Sequence, residues 1–199
     1  MVVESIEIQH VDKTLPGDFC SPTRKNAGIV IFVHGSGSSR FSPRFVAEIL
    51  RSRGVGTFLL DLLTPREEAI DERTRHLRFD IEMLSQRVAS VIDYFAQDKR
   101  TQGLPIGLFG ASTGGGAALL AASLCPNQIA TVVSRGGRPD LVPVPVLKSI
   151  NTPTLFIVGS KDTVVLELNK QALNALGSKE KKLQVVEGAT HLFEEKGMY

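Results

Sequence analysis

Ser112 stands between Gly110 and Gly114 in the run LPIGLFGASTGGGAALLAASL (104–124). An apolar stretch ends at Gly110 and small residues fill the segment after it, so the serine falls where a strand gives way to a helix. Two chemistries use a glycine-rich turn there, phosphate binding and nucleophilic attack. A P-loop, G-x-x-x-x-G-K-[ST], needs lysine after its second glycine, and counting from Gly110 that position is Gly116. A dinucleotide fingerprint, G-x-G-x-x-G, fails in GSGSSR, where Arg40 occupies the third glycine position. The pentapeptide GASTG does satisfy G-x-S-x-G, the sharp turn that pushes a serine hydroxyl into the open. Side chains two before and two after such a serine would clash, which accounts for Gly110 and Gly114.

A serine nucleophile needs a base, and the base an orienting acid. Of the four histidines, His10 lies near the first strand and His76 on a helical stretch beside Leu77, as a surface or capping group. His34 leads into GSGSS, where it suits shaping a loop. His191, in VVEGATHLF, follows the last strand and a glycine turn, and it comes late, as the order Ser…Asp…His requires. Asp162, in IVGSKDTVV, lies just past a buried strand and is the preferred acid; Asp140, in the loop after the preceding strand, is the alternative. Asp61 precedes the serine and has the wrong order. The oxyanion hole needs two N–H donors. Thr113, at the start of a helix whose positive end faces the serine, supplies one, and Ser36 in HGSGSS the second.

The elements that position these residues alternate. Strands are read in MVVESIEIQH, GIVIFVHG (28–35), VGTFLLDLL (55–63), LPIGLFG, IATVVSRGG (129–137), TPTLFIVGS (152–160) and KKLQVVEG. Helices are read in SPRFVAEILRSRG (42–54), TGGGAALLAASLC and LELNKQALNALG (166–177). Leu77, Ile81, Leu84, Val88, Val91 and Phe95 step by three and four, predicting one long amphipathic helix from about Arg73 to Ala96. The turn-rich KTLPGDFCSPTRKNAG predicts at most one short edge strand. This alternation predicts an α/β fold: a mostly parallel, twisted sheet with helices on both faces in three layers. RPDLVPVPVLKSINTP (138–153) is too short and proline-rich for a lid domain.

Residues 1–199 are expected to form one domain. With 42% hydrophobic and 22% charged residues and a net charge of +2, the composition argues for neither nucleic acid nor a membrane surface as a partner. No apolar run approaches the roughly 18 residues of a spanning helix, and the amino-terminal alternation reads as a strand, not a signal peptide. Cys20 and Cys125 form no metal or redox motif, and two unpaired thiols point to a reducing cytoplasm. Arg40, after the oxyanion loop, and Arg135 and Arg138, in SRGGRPD, are candidates for gripping a carboxylate or phosphate on a substrate. The other reading of Arg135 or Arg138 is an ion pair with Asp140 or another acid that fixes the loop. Arg73, Arg75 and Arg78 read as a solvated helix face.

HGSGSS, GASTGG, GSKD and GATH, in that order and on those elements, resemble the α/β-hydrolase superfamily, and within it the small proteins related to dienelactone hydrolase. SSRFSPR, DERTRHLRFD, VSRGGRPDL and THLFEE resemble a bacterial subgroup of that branch. The resemblance covers nearly the whole chain. It implies a Ser112–His191–Asp162 triad, no cofactor and no metal, and a small-molecule carbonyl substrate: an ester, lactone or thioester, with a carboxylic-ester hydrolase as the activity. A non-catalytic binding module and an acyltransferase using the same triad are the alternatives. Dienelactone hydrolase itself uses a cysteine nucleophile, so dienelactone is not assumed as substrate here. The superfamily also implies a further helix after the histidine, whereas Tyr199 lies eight residues past His191. The expectation is a truncated chain or a partner, such as a second copy in a homodimer, over that face.

Overall fold

The computed structural model describes residues 2–35 and 43–195. Eight strands form one sheet: β1 (Glu4–His10), β2 (Lys13–Cys20), β3 (Ile29–Val33), β4 (Gly56–Leu60), β5 (Ile106–Ala111), β6 (Ile129–Arg135), β7 (Thr154–Gly159) and β8 (Lys181–Val186). Their order is β1-β2-β4-β3-β5-β6-β7-β8. The β1–β2 and β2–β4 pairs are antiparallel and the remaining pairs parallel. The chain leaves β3 for β4 on one side and returns to β5 on the other, so the strand order reverses around β3. Ligands of open α/β sheets bind outside the carboxyl ends of the strands at such a reversal.

The inner parallel strands β3, β4, β5 and β7 are mostly buried apolar runs because both sheet faces are covered there, whereas β8, KKLQVV, at the edge, is not. Ile31, Phe58, Leu60, Leu108 and Phe156 pack into the larger core with residues of α3 (Ile81–Gln97), α4 (Thr113–Leu124), α5 (Val144–Ser149) and α6 (Thr163–Ala175). The alternate residues Phe32 and Leu59 form a second cluster with Ala47 of α1 (Arg44–Ser52). The expected three-layer arrangement is therefore present. No helix among the described residues is long and apolar enough to cross a membrane.

Two local expectations fail. KTLPGDFC is not a short edge strand but the eight-residue β2, paired on both sides. Leu15, Gly17 and Phe19 face inward, and a Cβ on Gly17 would lie 2.2 Å from the Phe58 ring, so the glycine that reads as a turn instead admits a neighbouring ring. Pro16 lacks an N–H, but its carbonyl accepts from the Asp61 N–H at 3.0 Å. The long helix from Arg73 is also interrupted. It resolves into α2 (Pro65–Thr74), a single 3-10 turn (Leu77–Phe79) and α3. Arg75 is left-handed (φ 57°), the Asp71 carboxylate accepts from the Leu77 N–H at 2.8 Å, and Asp80 caps α3 through the Met83 N–H at 3.0 Å. Carboxylates that capture backbone N–H groups end one helix and start the next.

Candidate active site

The carboxyl ends of β3, β5, β6, β7 and β8 converge on one edge. Ser112 follows β5 with φ 50° and ψ −125°, a strained conformation for a side-chain-bearing residue. The surroundings over-determine it. Its N–H donates to the Arg135 carbonyl at 3.2 Å, and its own carbonyl accepts from Gly115 at 2.9 Å and Arg138 at 3.0 Å. A Cβ on Gly110 would lie 2.5 Å from the Gly114 carbonyl oxygen, and one on Gly114 would lie 2.2 Å from that of Val33. Both glycines are thus required by backbone packing. α4 starts at Thr113 with no acidic residue in its first turn, leaving its positive end beside the serine.

His191 follows β8. The loops after β7 and β8 are laced together: Lys161 N–H donates to Ala189 at 3.0 Å and Gly188 N–H to Ser160 Oγ at 2.8 Å. Asp162 occupies the cap position of α6, yet its side chain makes no cap bond. Its Oδ2 instead lies 2.6 Å from His191 Nδ1. With Nδ1–H donating to that carboxylate, Nε2 presents a lone pair to Ser112 Oγ at 3.4 Å. Gly136, left-handed at φ 53°, lies against the imidazole, where an added Cβ would be 3.3 Å from Nδ1. A serine hydroxyl, an imidazole and a carboxylate in this series can carry out proton-assisted nucleophilic attack.

Residues 19–198 match the dienelactone hydrolase family. The chain belongs to that family. It is 47% identical to a dienelactone hydrolase from Anabaena variabilis whose crystal structure superposes with a TM-score of 0.94, covering 99% of this chain and 91% of that one. Est1E from Butyrivibrio proteoclasticus shares the fold at 16% identity, with a TM-score of 0.78 over 96% of this chain and 91% of its own. Mycobacterium tuberculosis proteins named as phosphoribosyl transferases are 51% identical over 195 residues, 96% of this chain but 42% of theirs. The chain thus spans less than half the length of these curated relatives.

In this dienelactone hydrolase family member, the sequence-predicted Ser112, Asp162 and His191 come together, and Thr113 opens α4 beside them. Ser36 and Arg40 lie outside the described residues. Arg135 ends β6, donates from Nη1 to the Leu192 carbonyl at 3.2 Å and lies over the Phe193 ring at 5.1 Å. Arg138 forms a two-pronged pair with Asp140, at 2.8 and 2.7 Å, so both residues are engaged away from His191. A recess of about 20 Å³ lined by Phe32, His34, Phe109, Ala111 and Arg135 opens at this edge. A larger groove of about 440 Å³, between Phe79, Leu120, Leu124 and Leu141, includes none of Ser112, Asp162 and His191.

His34, read from sequence as a loop-shaping residue, is buried. Its Nε2 accepts from the Leu62 N–H at 3.3 Å, and Nδ1 donates to the Gly35 carbonyl at 3.0 Å. Burial lowers its pKa, outweighing the Gly35 hydrogen bond and the Asp61 charge that act the other way. The Leu62 carbonyl accepts from Arg87 Nη1 at 2.6 Å, and Arg87, 1% exposed, grips Glu67 with two bonds of 2.7 Å. Sequence gives no sign of this chain of contacts beneath the β3 loop, because it joins four separate segments. Among the described residues, no group of three or more His, Cys, Asp or Glu is placed to hold a metal ion. Both cysteines are free and buried.

Proposed function

We propose that this chain is a serine hydrolase that cleaves a small ester, lactone or thioester through an acyl-enzyme. The observation that carries this reading is the strained Ser112, 3.4 Å from an imidazole whose other nitrogen is 2.6 Å from Asp162. In the proposed reaction His191 Nε2 takes the Ser112 hydroxyl proton as Oγ attacks the carbonyl carbon. Asp162 holds the tautomer and stabilises the imidazolium. The Thr113 N–H, with Ser36 as the second donor, stabilises the oxyanion. The imidazolium then protonates the leaving oxygen or sulfur, and water, deprotonated by the same nitrogen, releases the acid.

The Anabaena relative carries the name dienelactone hydrolase, and lactone chemistry comes to this chain as part of the proposal. The Arg135 guanidinium at the edge of the site favours an acyl group bearing a carboxylate or phosphate. The absence of any bulky insertion between β6 and β7, where only a 3-10 turn (Pro139–Leu141) and α5 intervene, favours a small substrate. The transferase name of the mycobacterial relatives belongs to chains more than twice as long, whereas the hydrolase family match runs through nearly all of this one. Hydrolysis is therefore preferred for this segment. The two free, buried cysteines support a reducing, cytoplasmic setting.

Intact-protein mass spectrometry after fluorophosphonate treatment tests the reading. One adduct on the wild type, absent from Ser112→Ala, is expected; folded wild type that takes no adduct overturns it. In the same preparations Ser112→Ala should lower ester turnover by about 10³-fold or more.

A further inference from the structure

Asn169 is completely buried on α6, yet among the described residues its Oδ1 has no hydrogen-bond partner. A buried unsatisfied acceptor costs about 1–3 kcal/mol, and an apolar side chain here would avoid that cost only by taking away the donor that the carbonyl of buried Gly137 now has. The Asn169 Nδ2 does two things: it donates to the Val165 carbonyl at 2.8 Å and to the Gly137 carbonyl at 2.9 Å. Val165 lies one helical turn earlier, where its carbonyl already has the helix's own i→i+4 partner. The bond to Gly137 has no such substitute.

Gly137 lies in a segment that touches both ends of the proton path. Arg135 accepts from the Ser112 N–H and Arg138 donates to the Ser112 carbonyl, so residues 135–138 hold the nucleophile's backbone from both sides. Gly136 lies against the His191 ring. Two adjacent glycines form the most conformationally free dipeptide available. Gly136 is left-handed at φ 53°, and a Cβ on Gly137 would fall 1.9 Å from Ser134 Oγ and 3.3 Å from its Cβ. Gly136 is tied down by its N–H to Ile157 at 2.7 Å, and Gly137 by Asn169. The helix that carries Asn169 begins directly after Asp162.

We infer that Asn169 is a positioning residue: by holding the Gly136–Gly137 turn to α6, it fixes Ser112 and His191 relative to Asp162. This rests on the proposed hydrolase reading for its catalytic consequence, though the tether itself is independent of it. A displacement of about 1 Å in such a constellation costs on the order of 10²-fold in rate.

The test uses Asn169→Leu and Asn169→Asp. Asn169→Leu removes the donor while keeping the same branching at Cγ. Its kcat on a small activated ester should fall about 10²-fold with KM within about threefold of wild type. Asn169→Asp keeps the shape but donates only when protonated, and burial among backbone carbonyls raises a carboxyl pKa. Its kcat, as a ratio to wild type at each pH, should rise as pH is lowered from about 8 to 5.5. A role in packing alone leaves that ratio flat. Turnover of Asn169→Leu within twofold of wild type, or a flat ratio for Asn169→Asp, overturns the inference; if the leucine variant does not fold, the aspartate variant decides. Should wild type itself be inert, the hydrolase reading fails and the tether is still read by NMR. The downfield His191 Nδ1–H proton should be present in wild type and exchange-broadened in Asn169→Leu, and an unchanged resonance overturns the inference.

Discussion

Gly35 abuts Ser112 so closely that a β-carbon on it would lie 2.7 Å from Ser112 Cβ and 2.9 Å from the Ala111 carbonyl oxygen. Gly35, two residues past β3, is therefore in close contact with the turn after β5. Gly35→Ala should force them apart, costing about 1–3 kcal/mol of stability and on the order of 10²-fold in turnover. Urea unfolding and ester kinetics on the same sample check both; an unaffected turnover would show that the Gly35 contact does not position Ser112.

The two acids left open by sequence separate cleanly. Asp162→Asn should lower kcat by about 10³- to 10⁴-fold, because an amide cannot hold the imidazole in the reactive tautomer. Asp140→Asn removes only a partly exposed pair with Arg138 and should change kcat less than about tenfold. A larger effect at Asp140 than at Asp162 would reverse the assignment of the acid.

Arg87 and Glu67 make a different kind of prediction. Burial alone would raise the Glu67 pKa, but hydrogen bonds from Arg87 and Lys13 outweigh it and hold the carboxyl well below the usual range. Arg87→Met leaves that carboxylate nearly buried with Lys13 as its remaining ionic partner, and should cost about 3 kcal/mol. Adding Glu67→Gln should recover much of the loss, since removing both charges is far milder than stranding one. Chemical unfolding of the singles and the double closes the cycle; strictly additive losses would show that the pair is not coupled.

His34 sets a pH window for stability. Its folded pKa is lowered by burial from an ordinary value of 6.5, so below that pH the unfolded chain binds more protons than the folded one. Stability is then complete above about pH 6.5 and falls on acidification below it. His10, lowered by burial and by Arg87 and Lys13, acts in the same direction and window. Glu67 contributes only below its ordinary value of 4.5. Unfolding free energies between pH 7.5 and 5 should slope downward toward acid in wild type, less in His10→Asn, and least in His10→Asn/His34→Gln. An identical slope in all three would exclude both histidines as its source.

How much of this was legible beforehand depends on the distance over which each feature is decided. The inner parallel strands announce themselves because burial on both faces demands apolar runs such as GIVIFV and TLFIVG. The proposed triad is legible because Ser112 and Asp162 each follow such a run, and His191 follows the last strand and a glycine turn in the order Ser…Asp…His. β2 is hidden by its own residue types: Pro16 and Gly17 are tolerated only because β1, β4 and the Phe58 ring complete the surroundings. The break before α3 turns on where the side chains of Asp71 and Asp80 point, which apolar periodicity does not register. The Asn169–Gly137 tether spans 32 residues and joins two elements, so no local pattern could have suggested it.

The sheet order has a practical consequence for handling the protein. β1 is an edge strand, four strand spacings from β5, which is about 19 Å before twist is considered. Glu7 and Gln9 on β1 are exposed, and both native thiols are buried and unpaired. A cysteine introduced at Glu7 would be the readily accessible attachment point for maleimide coupling. Molecules anchored there would share one orientation, with the edge that carries Ser112 standing clear of the support, so that a soluble ester and the proposed acyl-enzyme could be followed on a sensor surface.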